Sequence, residues 1–227
     1  MSPLHSVCVA VSHYNEDLRW ADQFTDCPIY IISKTDPTRF IFQPENLGFE
    51  ASSYLEFICH FYHQLPEWVI FVHGHEFSWH HTGGMQDLLR STISNLNQDH
   101  IKYKNINAYP PGYYITNSED AGFYNDHPER KKDYVYGLKT VRDCIELGMF
   151  RPIGIDACDP PNFISRPAAQ FVVHRDLIQQ YSHNTYKELA KLLHDTPYDD
   201  KMKACVYEAM WTRIFTLHWN ELEWDSS

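Results

Sequence analysis

Along the chain, short unbroken apolar runs alternate with apolar residues at helical spacing. Val7-Cys8-Val9-Ala10-Val11 is continuous, as expected of a strand covered on both faces, and it leads into the polar Ser12-His13-Tyr14-Asn15-Glu16. Leu18, Trp20, Ala21 and Phe24 predict a short helix. Ile29-Tyr30-Ile31-Ile32 predicts a second strand, ending in Ser33-Lys34-Thr35-Asp36-Pro37. Asn46-Leu47-Gly48 opens the clearest helical pattern, with Ala51, Tyr54, Leu55, Ile58, Phe61, Tyr62 and Leu65 on one side and Pro66 as its stop. Trp68-Val69-Ile70-Phe71-Val72 predicts a third buried strand, running into His73-Gly74-His75-Glu76.

The first third of the chain therefore reads β-α-β-α-β, which argues for an α/β fold: a mostly parallel sheet flanked by helices. In such sheets ligands bind beyond the carboxyl ends of the strands, so the polar groups after the three strands are expected to converge. Residues 85–97 read as helix. Residues 98–135 do not; they hold Pro110-Pro111-Gly112, the tyrosines 103, 109, 113, 114 and 124, and the basic Arg130-Lys131-Lys132. A long irregular segment of this kind reads as a lid or binding loop, or else as disordered chain. Residues 136–147 read as helix, and Ile153-Gly154-Ile155 and Phe171-Val172-Val173 as strands. Two helices close the pattern, the last with Thr196 as N-cap and Cys205, Val206, Ala209, Met210 and Phe215 inward. No repeat or linker divides the chain, so residues 1–227 are expected to form one domain, with a nucleotide-binding half at about 1–97 and an acceptor half at about 98–227.

Composition narrows the function classes. The 227 residues carry 19 Lys+Arg against 30 Asp+Glu, a net charge of −11, which disfavours general binding of nucleic acid or an anionic membrane. No apolar run approaches the roughly 20 residues that span a bilayer. The N-terminus shows no signal-peptide pattern, and the six cysteines form no CxxC pair, so a reduced, cytoplasmic protein is expected. The abrupt end at Trp224-Asp225-Ser226-Ser227 suits a piece of a longer, multidomain chain.

The sharpest candidate cluster is His73-Gly74-His75-Glu76-Phe77-Ser78-Trp79-His80-His81. On an extended strand His73 and His75 share a face and could hold a divalent metal; polar histidines in a surface loop beyond the strand are the alternative. The zinc-hydrolase motifs fit badly: HExxH needs its second histidine at Trp79, and H-x-H-x-D-H needs Asp and His where Phe77 and Ser78 stand. Asn46-Leu47-Gly48-Phe49-Glu50 opens a helix, whose N–H groups favour an anion such as a diphosphate; plain capping by Asn46 is the alternative. Neither a Walker A loop nor GxGxxG is present. Asp156, Asp159 and Glu208 are candidate carboxylates.

Three signatures together resemble a domain-of-unknown-function family found in fungi, some bacteria and large algal DNA viruses. The first is Asn46-x-Gly48-x-Glu50-x-x-x-Tyr54-Leu55, Leu65-Pro66, Val69 through His75, and Trp79-His80. The second is Ala169-Gln170-Phe171-Val172-Val173-x-Arg175-x-x-Ile178, and the third Leu192-Leu193-x-x-Thr196 with Glu208-x-x-Trp211-x-x-Ile214-Phe215. The resemblance covers residues 7–219 and implies an A-type glycosyltransferase fold. It implies a hexosyltransferase using a nucleotide-sugar, expected to be UDP-glucose or UDP-galactose, with a glycan or glycoprotein acceptor. Tyr14, Asn15 and Ser33, Lys34 and their neighbours would surround the base and ribose. Asn46, Gly48 and Glu50 would lie near the ribose and diphosphate. His73 and His75 would meet Mn²⁺ or Mg²⁺, or the diphosphate itself, because His73-Gly74-His75 stands where that fold carries D-x-D. Without a metal, His75, His80 or a basic side chain would have to stabilise the leaving diphosphate. Asp156 would be the base of an inverting reaction; in a retaining one Gln170 or Glu208 would line the donor sugar. A His-site metal hydrolase and a non-catalytic carbohydrate-binding domain are the alternatives.

Overall fold

The computed structural model describes residues 6–43, 45–78, 80–96, 102–108, 113–115, 141–155, 163–165 and 169–216. Its centre is a six-stranded sheet of order β3-β2-β1-β4-β8-β5. The strands are β1 (Val7–His13), β2 (Ile29–Ser33), β3 (Ile41–Phe42), β4 (Trp68–His73), β5 (Tyr103–Asn105) and β8 (Phe171–His174). β6 (Tyr113–Ile115) and β7 (Phe163–Ser165) pair antiparallel as a separate ribbon. β1, β2, β3 and β4 are mutually parallel; β8 alone runs against them, antiparallel to both β4 and β5. The fold is thus α/β, with a mostly parallel mixed sheet between helices.

The unbroken apolar strands account for the layering. Every residue of β1 is buried, so both faces of the sheet need cover. On one face Cys8, Ala10, Val69, Phe71, Phe171 and Val173 pack against α2 (Glu50–Phe61), α6 (His183–Asp195) and α7 (Asp200–Thr216), through Tyr54, Leu55, Leu189, Trp211 and Phe215. On the other face Val9, Val11, Ile70, Val72 and Val172 pack against α1 (Arg19–Gln23) and α3 (Met85–Asn95), through Trp20, Ala21, Met85 and Leu89. A short α4 (141–146) adds Cys144 and Ile145 to the first core, and α5 (Arg175–Ile178) adds Leu177 and Ile178. Burying each large side chain fully stabilises by about 1.5–3 kcal/mol, and these two cores hold most of them.

Four local expectations are corrected. Ile153-Gly154-Ile155 is not a strand: Arg151–Ile153 forms a 3₁₀ turn with Pro152 near its start, and Gly154 ends it at φ +82°. Thr196 does not start the last helix but closes α6, its N–H and hydroxyl both donating to the Leu192 carbonyl. Pro197 disfavours helical backbone at the residue before it, so α6 stops there. Asp199 takes the capping role for α7, its side chain accepting from the Met202 N–H at 2.8 Å. Cys205 is exposed rather than inward, and Tyr103–Asn105, inside the supposed irregular segment, is a sheet strand.

The start of α2 differs too. Asn46 does not cap it; Phe49 is the N-cap residue and supplies no side-chain bond. Gly48 (φ +55°) and Phe49 (φ +51°) make the entry turn. Gly48 is buried, with its N–H donating to Asp200 Oδ1 at 3.2 Å, and a Cβ there would stand 3.0 Å from Leu193 Cδ1. This glycine therefore joins α2 to α6 and α7. Gly48→Ala is expected to cost about 1–3 kcal/mol through the positive φ alone, with further loss from the Leu193 clash. Urea unfolding checks this; a stability equal to wild type would show that the turn relaxes freely.

Candidate functional site

The strand order places a switch point between β1 and β4. From β1 the chain winds outward through β2 and β3, then returns by α2 to β4 on the other side. Connections leave the two strands toward opposite edges of the sheet, and it is at the carboxyl ends of such a pair that open α/β sheets place their ligand crevice. Ser12 and His13 end β1, with Tyr14 and Asn15 after it; His73 ends β4, with Gly74 and His75 after it. β8 brings a further group there. Its antiparallel register sets Phe171 opposite Phe71, so Gln170 falls at the carboxyl end of β4 although it precedes its own strand. The Tyr54 hydroxyl, donating at 2.7 Å to the Ala169 carbonyl, ties this corner to α2.

On the α1 side of the crevice the polar groups mostly satisfy one another. Ser33 Oγ accepts from the Asp36 N–H at 2.8 Å and the Thr35 N–H, and lies 2.8 Å from His13 Nδ1. Ser33 therefore closes a turn. Its own hydrogen is left for His13 Nδ1, which assigns the imidazole proton to Nε2, 3.3 Å from the Glu16 carbonyl. Glu16 Oε2 accepts from the Tyr14 N–H at 2.7 Å, and Glu16 Oε1 lies 3.6 Å from His75 Nε2. A Cβ at Gly74 would meet Glu16 Oε2 at 3.0 Å, which explains the glycine between the two histidines. Tyr14 and Asn15 are exposed at the rim.

The α2 side is more buried. Lys34 is 5% exposed; its ammonium donates to Ser52 Oγ at 2.7 Å and to Gln43 Oε1 and the Glu45 carbonyl at 3.3 Å. Burial pulls it down to about 8, against the attraction of Glu50 and Asp200. Ser12 donates to Ser53 at 3.0 Å, linking β1 to α2. Glu50, the first residue of α2, meets Glu208 from α7 side chain to side chain. Burial raises both carboxyls, Glu208 well above the ordinary range; the charge of Glu50 adds to the rise at Glu208, while the hydrogen bond from Glu208 works against it at Glu50. Two carboxylates in contact in a buried place do not both ionise, so the pair shares a proton. Two residues expected in separate roles thus form one unit.

His73 stacks on His80, with ring centroids 4.8 Å apart, while His75 stands exposed beside Glu16. The strand ends at His73, so the alternation expected to put both on one face stops before His75. Burial lowers His73 and His80 each to about 4, and the neighbouring imidazoles push the same way, so both are neutral at pH 7. His81 is buried; its Nε2 lies 3.1 Å from the Glu76 carbonyl, and its Nδ1 accepts from Gln170 Nε2 at 3.3 Å. Gln170 Nε2 also donates to Asn107 Oδ1. Three buried polar atoms here have no hydrogen-bond partner among the described residues: Glu50 Oε1, His73 Nε2 and Gln170 Oε1.

The donor set suits a Mn²⁺ or Mg²⁺ site poorly. Mg²⁺ in particular takes oxygen ligands in octahedral geometry, whereas His73 and His75 offer nitrogens with different neighbours. Among the described residues no group of three or more His, Cys, Asp and Glu side chains could hold a metal ion. Asp156, Asp159 and most of the tyrosine-rich segment lie outside the described residues; Tyr103 is buried, its hydroxyl 3.2 Å from Thr212 Oγ1. Asn46 is half-buried before the α2 entry turn. The features missed in sequence are Glu16, Ser53, Asn107 and the strained, exposed Phe49. Glu16 ends the polar run after β1 and could have been included; a positive φ at Phe leaves no sequence signal.

An α/β domain with a polar crevice at its strand switch is the class defined by this geometry. The family described as "Protein of unknown function (DUF3431)" matches residues 8–222, and the chain belongs to that family. No curated protein and no solved structure matches it. Among the described residues no helix is long and apolar enough to cross a membrane.

Two predictions follow from the site. Phe49 adopts φ +51°, ψ −121°, a region of glycine, at a cost of about 1–3 kcal/mol. Phe49→Gly is expected to unfold at the same or a higher temperature; clear destabilisation would mean that its ring packs more than its exposure shows. The carboxyl pair has raised folded values, so its stabilisation is present below the ordinary value of 4.5 and fades as pH rises through the raised values. Thermal unfolding between about pH 4 and about pH 8 should show wild type falling behind Glu208→Gln as pH rises. The lowered His73 and His80 act in the opposite direction, losing stability as pH falls from 6.5 toward about 4, but they are common to both proteins. A constant difference between the two proteins would rule out proton sharing.

Proposed function

We propose that this chain is a nucleotide-sugar-dependent hexosyltransferase that moves a hexose from a UDP-sugar, UDP-glucose or UDP-galactose, to a glycan acceptor. The observation that carries the reading is the β1–β4 switch, at whose carboxyl ends polar groups from β1, β2, β4 and β8 come together. Open α/β sheets take nucleotides at that place. Tyr14 and Asn15 at the rim suit the base and ribose. Lys34 suits the diphosphate: its amine is buried at the end of β2 and is still mostly protonated near pH 7. In a protein of net charge −11, such a local cation is what lets an anion approach.

The chemistry asked of the chain is modest. The nucleotide is held and oriented, water is excluded from the anomeric carbon, and charge on the departing diphosphate is met by Lys34 and nearby N–H donors. A carboxylate takes the acceptor proton if the reaction inverts, and Asp156 is the candidate; if it retains, Gln170 or Glu208 lines the donor sugar. The imidazoles of His73 and His75 do not form a site that fits Mn²⁺ or Mg²⁺.

Calorimetry and thermal shift with UDP, GDP and CMP, each with Mn²⁺ and with EDTA, test this. Saturation at ~100-fold over Kd stabilises by ~2.7 kcal/mol, which a melt resolves. UDP binding unaffected by EDTA is expected. Strengthening by Mn²⁺ would put a metal back in the site. No nucleotide binding under any condition would overturn the reading. Stoichiometric zinc with chelator-sensitive ester hydrolysis would then favour the hydrolase, and sugar binding without nucleotide the binding domain.

A further inference from the structure

Polar atoms that are buried without a partner are uncommon, because each forfeits its hydrogen bonds to water. Among the described residues Glu50 Oε1, His73 Nε2 and Gln170 Oε1 are three such atoms, contributed by α2, β4 and the approach to β8. Two contacts and a set of electrostatic interactions link them. His73 stacks on His80 at 4.8 Å and Gln170 is bonded to His81 at 3.3 Å, while Glu50 interacts electrostatically with His80, and His81 with both His73 and His80. Glu50 and Gln170 are 6% and 0% exposed. Two of the three atoms are carbonyl or carboxyl oxygens, which call for donors from a ligand.

We infer that Glu50, His73 and Gln170 form the subsite that recognises the hexose of the donor, through the hydrogens of its hydroxyl groups. This rests on the nucleotide-sugar reading and moves Glu50 away from the diphosphate and His73 away from a metal. The local charge supports the assignment. The Glu50–Glu208 pair with its shared proton retains negative charge and the imidazole of His73 is neutral, so a phosphate is repelled here while an uncharged polyol is not. The cation that suits the diphosphate, Lys34, makes its bonds on the β2 side, to Ser52, Gln43 and Glu45. Nucleotide and sugar thus meet different chemistry at one edge of the sheet.

The test compares UDP with UDP-glucose and UDP-galactose by calorimetry on the full chain. Wild type is expected to bind at least one UDP-hexose about tenfold tighter than UDP, the worth of one or two net hydrogen bonds. His73→Phe keeps a ring to stack on His80 and removes Nε2. It should lose most of that tenfold gain, leave the Kd for UDP within about twofold, and melt no lower than wild type. Glu50→Met should lose the gain in the same way, whereas Glu50→Gln, which keeps an acceptor oxygen, should retain it. Equal affinity of wild type for UDP and both UDP-hexoses overturns the subsite, as does an undiminished gain in both His73→Phe and Glu50→Met. Parallel weakening of UDP and UDP-hexose in the variants overturns it as well, since the residues would then serve the nucleotide. If wild type binds no UDP, the transferase reading falls separately. Free glucose and galactose then decide the subsite: binding by wild type that His73→Phe abolishes upholds it, and no binding ends it.

Discussion

Burial of the central strands on both faces is the constraint from which the other features follow. β1 and β4 carry no polar residue between Val7 and Val11 or between Val69 and Val72, so water must be kept from both sides of the sheet. Helices on one face alone would leave Val9, Val11, Ile70 and Val72 exposed, an unfavourable transfer of the order of 1.5–3 kcal/mol for each large side chain. Covering both faces obliges the chain to wind out on one side of β1 and back on the other. The crevice at the β1–β4 switch is the geometric result of that winding.

The packing on the α2 face then decides the electrostatics of the crevice. α2 lies under α6 and α7, and Gly48 lets the chain pass close to Leu193 and Lys203. This brings the first residue of α2 against Glu208, far along α7. Removing two carboxyls from water is costly, and sharing a proton is the less costly outcome. Lys34, pulled toward Ser52, balances part of the remaining charge. One oxygen of this pair, Glu50 Oε1, has no hydrogen-bond partner among the described residues, and neither have His73 Nε2 and Gln170 Oε1, where a ligand is proposed to bind. Phe49 adds backbone strain at the next position.

Much of the frame was legible in the sequence because strand and helix leave different periods. Val7–Val11, Ile29–Ile32 and Trp68–Val72 are apolar without interruption, and Ala51, Tyr54, Leu55 and Ile58 recur at helical spacing. Where periodicity is short, local geometry prevailed: Ile153-Gly154-Ile155 has apolar strand-like residues, but Pro152 and the left-handed Gly154 turn it into a 3₁₀ bend. Thr196 before Pro197 suits a helix start by type, yet its hydroxyl and N–H both turn back to Leu192, since Pro197 disfavours helical backbone before it. Candidate residues were legible as types. The histidines after β4 and Lys34 after β2 stood out by position, as did Gln170 and Glu208 by motif.

Their grouping was not. A one-dimensional pattern determines which residues face a core and where strands end, because both depend on neighbours within a few positions. It determined the parallel β1–β2–β4 arrangement and the edge of the sheet where polar groups collect. The reversed β8, which carries Gln170 to the end of β4, depends on a pairing across some hundred residues. The Glu50–Glu208 contact, the separation of His73 from His75, and the division between the Lys34 side and the neutral imidazoles likewise depend on which helices pack together. Burial, and with it protonation, is set by groups distant in the chain, so only the tertiary structure decided what these side chains are able to do.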